Sequence, residues 1–147
     1  EGTPAVQTPL LDLGCGYGYL SLMASQLGEF TITATDNCAA AVLACRENFK
    51  RHRIDGEVIA DDCASHIDAQ FDVVLCNPPF HQGFQHQKSL TDKFLYNTRR
   101  LLTARGRALF VVNQFVPLES LAAPWFKNVS VPARTASFKL VELGQHK

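Results

Sequence analysis

A chain of 147 residues with 46% hydrophobic composition has the size of one ordinary domain and enough apolar side chains to bury a core. Its 14 basic residues balance its 14 acidic ones, so no overall positive field draws it onto a polyanion, and any nucleic-acid binding must be local or supplied elsewhere. No apolar run reaches membrane-spanning length and no signal peptide opens the chain, which points to a cytoplasmic setting.

Short apolar runs alternate with longer stretches of helical period, the pattern of a largely parallel sheet covered by helices on both faces. Residues 10–13 read as a strand, and residues 19–27, after a group of glycines, as a helix. A second strand over 31–35 leads into a helix over 38–51, with Asp36-Asn37 as its capping pair. Strands over 57–60 and 71–76 follow. A helix over 89–102 carries Leu90, Phe94, Leu101 and Leu102 on one side and stops at Gly106, ahead of a strand over 108–113. The rhythm then changes: 116–126 is short and proline-bounded, and strand-like pieces over 129–133 and 137–143 follow each other closely, predicting a terminal antiparallel hairpin. No repeat, low-complexity segment or internal linker interrupts the chain, so residues 1–147 read as one domain. The chain opens at Glu1 rather than Met, so this domain is expected to be the C-terminal part of something longer.

Cys15, Cys38, Cys45, Cys63 and Cys76 are odd in number and lack C-x-x-C spacing, so they read as reduced thiols, several of them core residues, with no metal site. His52, His66, His86 and His146 have no metal-like grouping either. Lys50-Arg51-His52-Arg53, Arg99-Arg100 and Arg105 with Arg107 read as solvated helix ends. Trp125 and Phe126 read as packing for the short segment against the sheet.

Two motifs carry chemistry. Leu10 to Tyr19 is a buried strand running into a tight glycine turn and then a helix. Glycines are needed where the backbone takes conformations closed to other residues and lets a ligand approach without a Cβ in the way. A dinucleotide fold would place a small residue three positions after Gly16, where Tyr19 stands, and no Gly-Lys-Ser/Thr follows to make a phosphate-cradling loop. The spacing Asp12-x-Gly14-x-Gly16-x-Gly18 instead resembles the first motif of the class I methyltransferases. The resemblance implies that the turn wraps the methionine part of S-adenosylmethionine, with Asp12 reaching toward its amino group. Asp36, at the end of the second strand, can accept hydrogen bonds from both hydroxyls of a ribose, and can equally cap the helix behind it. The family keeps a polar residue near the adenine amine after the third strand. Asp62 is the preferred candidate and Asp61 its competitor.

The second motif is Asn77-Pro78-Pro79-Phe80, closing the strand over 71–76. Each proline forces the residue before it into an extended conformation and removes a backbone donor, so Asn77 and Pro78 are held stiffly at the sheet's carboxyl edge, where open α/β folds bind ligands. A conjugated amine is a poor nucleophile whose protons are too weakly acidic to be removed first. It needs acceptors rather than a strong base. The Asn77 side-chain oxygen and the Pro78 carbonyl could each accept one N–H, turning the lone pair toward a sulfonium methyl and stabilising charge as it develops. Phe80 would stack on the planar group being methylated.

The tetrad resembles the Asn/Asp-Pro-Pro-Tyr/Phe motif of the amino methyltransferases. Its extension through His81, Gln82 and Gly83 looks like the bacterial ribosomal RNA guanine-N2 methyltransferases, and the resemblance runs from Leu11 to the closing Phe138-Lys139 strand. It implies a Rossmann-like, mostly parallel seven-stranded sheet in the order 3-2-1-4-5-7-6 with an antiparallel terminal strand. It also implies a guanine amine in ribosomal RNA or a ribosomal subunit as acceptor, and a degenerate N-terminal domain ahead of the catalytic one. The implied catalytic residues are Asn77, Pro78 and Phe80. The cofactor set is Asp12, Gly14, Cys15, Gly16, Gly18, Asp36, Asn37, Asp62 and Asn77, and Pro79, Phe80 and His81 face the substrate, with His81 also readable as a local hydrogen bonder. Adenine-N6 and protein-glutamine methyltransferases share this chemistry but usually end the tetrad in tyrosine, so Phe80 counts against them. A decayed, non-catalytic RNA-binding module should have lost the glycines or the tetrad, and both are intact.

Overall fold

The computed structural model describes residues 7–78 and 84–146. In chain order the elements are β1 (Thr8–Leu13), α1 (Tyr19–Leu27), β2 (Phe30–Asp36), α2 (Ala39–Arg51), β3 (Gly56–Ala60), β4 (Phe71–Cys76), α3 (Phe84–Leu101), β5 (Leu102–Asn113), α4 (Leu118–Ala122), β6 (Phe126–Arg134) and β7 (Phe138–His146). The strands form one seven-stranded sheet in the order β3-β2-β1-β4-β5-β7-β6. Strands β1 to β5 pair in parallel, and β7 runs antiparallel to both β5 and β6. This is the topology that the resemblance implies.

The apolar runs are continuous because the central strands bury both faces, and successive side chains alternate between them. Leu10, Ile32, Ala34 and Val58 pack under Ala24 of α1 and Val42, Cys45 and Phe49 of α2. Leu11, Leu13, Val74, Cys76, Phe110, Val141 and Leu143 face the opposite way, against Phe94 and Leu95 of α3 and Leu118 and Ala122 of α4. Full burial of such a side chain contributes about 1.5–3 kcal/mol. The thiols of Cys15, Cys45 and Cys76 are free and sit among these residues as small apolar groups.

The structure departs from the sequence reading at several element ends. Strand β5 begins at Leu102, not at 108, because Leu102 already pairs with Phe71 ahead of a register shift. Gly106 permits the crossing: a Cβ there would lie 2.7 Å from Leu102 Cδ1 and 3.0 Å from the Asp72 carbonyl. Helix α3 begins at Phe84, five residues ahead of the expected start, and the last β-hairpin strands are longer than their apolar cores suggested. Helix α2 is capped at Cys38 without a side-chain bond, so neither Asp36 nor Asn37 is its N-cap; Asp36 instead accepts the Cys38 N–H. Among the described residues no helix is long and apolar enough to cross a membrane.

Strand order reverses between β1, which leads outward to β2, and β4, which lies on the other side of it. The carboxyl ends of β1, β2 and β4 therefore open onto one crevice at a topological switch point.

Candidate active site

The turn after β1 is built from left-handed backbone. Gly14, Gly16 and Gly18 have φ of 73°, 56° and 96°, a region where a Cβ would be strained. The Gly14 and Cys15 N–H groups both donate to the Thr35 carbonyl, at 2.9 and 2.8 Å, tying the turn to the end of β2. Gly18 opens α1, and a Cβ on it would come within 3.0 Å of Cys45 Sγ.

Asp12, at 0% exposure, has one oxygen satisfied: Oδ2 accepts the Ser21 hydroxyl at 2.6 Å and the Ser21 N–H at 3.1 Å. Its Oδ1 has no partner. Burial pushes this carboxyl up to about 6, against the two Ser21 bonds that pull it down. A buried carboxylate with an unused oxygen at the end of β1 is a seat for a cationic amine, and it fits the amino group of S-adenosylmethionine. Asp36 is held from two sides, with Oδ2 accepting the Gly16 N–H and Oδ1 the Cys38 N–H, each at 2.9 Å. Each oxygen keeps a second lone pair, which suits a pair of vicinal hydroxyls.

These groups border a cavity of about 580 Å³ lined by Gly14, Gly16, Thr35, Asp36, Asn37, Cys38, Cys63, Asn77, Pro78, Leu90 and Phe94. Asn77 is exposed to it and Pro78 is buried beneath, directly after β4 ends at Cys76. The Thr35 hydroxyl is buried and without a partner. The volume and the mixed polar and apolar lining suit a nucleoside-sized ligand.

The segment after β3 forms the next wall. Cys63 and Ala64 both adopt positive φ, 49° and 60°, and Ala64 is fully buried. Strain of this kind persists only where surroundings over-determine it. Arg100, at the end of α3, supplies the clamp, donating to the Ala64 carbonyl at 2.9 Å and the Ile67 carbonyl at 2.6 Å. The basic pair Arg99-Arg100 is therefore no mere solvated helix end, since Arg99 also lies over the Trp125 ring at 5.6 Å. Asp61 turns to His66 at 2.7 Å; desolvation works against ionisation there, but His66 and two backbone N–H groups hold the carboxyl below its ordinary range. Asp62 pairs with Lys93 of α3, which holds its carboxyl low as well. The neighbouring Cys63 thiol is pushed up to about 12 by desolvation and by Asp62.

Of the residues singled out from sequence, the fold brings Gly14, Gly16, Asp36, Asn37, Asn77 and Pro78 to one lining. Asp12 and Gly18 lie behind it and shape it, and the Cys15 thiol points into the apolar cluster under α1 and α2. Asp62 stands next to the lining residue Cys63 with its carboxylate on Lys93. Pro79, Phe80 and His81 lie outside the described residues. Sequence reasoning missed Thr35, Cys38, Cys63, Leu90 and Phe94 as lining residues. Only the last two left a signal, as an i, i+4 pair on the apolar side of α3. Among the described residues no group of three or more His, Cys, Asp or Glu could hold a metal ion.

The methyltransferase small domain family matches residues 3–142, spanning both the glycine turn and the Asn77-Pro78 strand end. The chain belongs to that family. Among its relatives this methyltransferase small domain protein is 32% identical over 136 residues to the ribosomal RNA small subunit methyltransferase C of Haemophilus influenzae (strain PittGG), covering 92% of this chain and 41% of that one. Its counterpart in Citrobacter koseri is 33% identical over 139 residues, with 94% and 41% covered. The chain thus spans about two fifths of the length of these curated relatives. Among solved structures, the 16S rRNA N2 methyltransferase RsmC of T. thermophilus, in complex with AdoMet and guanosine, superposes with a TM-score of 0.83 at 24% identity, over 94% of this chain and 37% of that one. TrmN from Thermus thermophilus gives 0.78 at 19% identity, over 94% and 44%. At these identities the two structures show the shared fold.

Proposed function

We propose that this methyltransferase small domain protein transfers a methyl group from S-adenosylmethionine to the exocyclic N2 amine of a guanine in ribosomal RNA. The observation that carries the reading is that Asn77 and Pro78, at the stiff end of β4, line the same cavity as Gly14, Gly16 and Asp36. The names of the curated relatives, and the AdoMet and guanosine bound by the T. thermophilus enzyme, point the same way.

Bound in the cavity, the cofactor supplies an electrophilic methyl group on a sulfonium. Asp36 would hold its ribose hydroxyls, Leu90 and Phe94 would cover its apolar surface, and Asp12, behind the lining, would offer its unpartnered Oδ1 to the cofactor's ammonium. Asn77 Oδ1 and the Pro78 carbonyl each accept one N–H of the acceptor amine, which orients its lone pair and stabilises positive charge as it forms on nitrogen. No strong base is required, because the amine proton leaves to water after transfer. Phe80 and His81 lie outside the described residues; the motif would have Phe80 stack on the base, and His81 either contact the base or its phosphate or serve as a local hydrogen bonder. In the same reading residues 1–147 form one catalytic domain of a longer, cytoplasmic protein whose partner is ribosomal RNA or a ribosomal subunit.

The test is transfer of labelled methyl to ribosomal RNA, DNA and protein in parallel, followed by analysis of the labelled product. N2-methylguanosine is the expected product. N6-methyladenine or methylglutamine would replace the acceptor, and absence of S-adenosylhomocysteine binding by calorimetry would leave a binding module with no transferase activity.

A further inference from the structure

Two phenyl rings stand in water beside the candidate site. Phe115 is 87% exposed and Phe138 51% exposed, in a chain that otherwise buries most of its large apolar groups. Both belong to turns at the carboxyl edge of the sheet. Phe115 follows β5, and Phe138 opens β7, where it pairs with Asn113 at the end of β5. Because β7 runs antiparallel to β5 and β6 antiparallel to β7, the turn from Arg134 to Phe138 lies at the same edge as Asn77. With neighbouring strands about 4.8 Å apart, the two turns sit roughly 5 and 10 Å to the side of the β4 end, away from the cofactor half.

The rings are not carried on slack loops. The Phe115 N–H donates to Asn113 Oδ1 at 3.0 Å, and Val116, 5% exposed, anchors the next position. The Phe138 N–H donates to Thr135 Oγ1 at 2.9 Å, and the Thr135 N–H returns to the Phe138 carbonyl at 2.7 Å. A bond from the Gln114 N–H to the Ser137 carbonyl, at 2.8 Å, joins the two turns. Two further features point to a polar ligand at this edge. Gln114 Oε1 is buried without a partner, and the exposed Arg134 guanidinium feels the charge of Glu119, which nearby Lys139 already pairs at 2.6 Å. Fixed, exposed aromatic rings beside an exposed cation form a platform for unstacked bases and their phosphates.

We propose that Phe115 and Phe138, with Arg134, form a stacking platform that holds the nucleotides flanking the target base in a single-stranded RNA segment. The proposal rests on the ribosomal RNA reading above and names how that site takes its strand. It is tested with the full chain and a mixed-sequence single-stranded RNA carrying 2-aminopurine, followed by anisotropy and fluorescence quenching, with S-adenosylhomocysteine binding as the control. Phe115→Ala and Phe138→Ala each weaken RNA binding about tenfold and reduce the quenching, while cofactor-product affinity and thermal midpoint stay unchanged. Tyrosine at both positions keeps binding within about threefold, leucine does not restore it, and Arg134→Gln lowers the salt slope by about one. The proposal is overturned if the wild-type chain does not bind the RNA, if the double alanine variant binds it like wild type, or if leucine restores binding in full, which would mark apolar contact without ring stacking. Failure of the guanine-N2 reading shows separately, as a methylated product other than N2-methylguanosine with the RNA-binding losses intact.

Discussion

The two halves of the sheet's carboxyl edge are built in opposite ways. Over β1 and β2 the site is made of buried or half-buried, locked groups: three left-handed glycines, a carboxylate clamped by Ser21, and an aspartate held by two backbone N–H groups. Over β4, β5 and β7 the functional groups stand in solvent, with Asn77, Phe115 and Phe138 all exposed. A ligand of fixed shape can be met by a preformed socket whose groups are already held in place. A strand of RNA can be met only by groups that leave room for it. The buried half should therefore respond to substitution through stability and cofactor affinity, and the exposed half through turnover or substrate binding alone.

The largest expected effect tests the exposed half. Asn77→Ala is expected to lower kcat about 10²–10³-fold, the loss typical of one oriented transition-state partner, while S-adenosylhomocysteine affinity changes less than about threefold. A comparable loss of cofactor binding, read by calorimetry, would mean that the two halves are not separable.

The next effect belongs to Asp12. Its carboxyl is raised to about 6 in the fold from a reference of 3.8, so the folded state holds a proton that the unfolded chain releases. The contribution of this group to stability is therefore full below about pH 4 and is lost as pH rises through about 6, by on the order of 3 kcal/mol, opposite in sign to the contributions of Asp61 and Asp62, which are lost as pH falls. Asp12→Asn is expected to flatten that window in chemical-denaturation profiles. In the wild type, cofactor affinity is expected to fall as pH drops below about 6, where the carboxylate loses its charge. An unchanged profile in the variant would show that burial does not control this group.

Gly18→Ala is the smallest of the three. It places a Cβ at φ 96° and 3.0 Å from Cys45 Sγ, which is expected to cost about 1–3 kcal/mol in a thermal or denaturant melt. Retained stability would show that the turn relaxes more freely than its hydrogen bonds to Thr35 suggest.

Much of this division was legible in the chain. The left-handed turn was readable because only glycine is free of the Cβ penalty, and the parallel sheet because strands buried on both faces read as unbroken apolar runs. The Asp36 position followed from the end of an apolar run, but its partners did not, since Gly16 is twenty residues away. Asp62 was chosen over Asp61 by its place alone. The fold gave Asp61 to His66, five residues on in the same turn, and Asp62 to Lys93, thirty-one residues on, a partner that no local pattern announces.

By itself the sequence determined the order of elements, the glycine turn and the stiff Asn77-Pro78 strand end, because those depend on backbone sterics and on periodicity within a few residues. Tertiary structure alone decided that Asp12 is buried with a free oxygen, that Arg100 clamps the strained Cys63-Ala64 turn, and that Phe115 and Phe138 share an edge with Asn77. Burial and proximity arise from strand register and helix packing between residues far apart in the chain, and neither quantity is a property of any local stretch of residues.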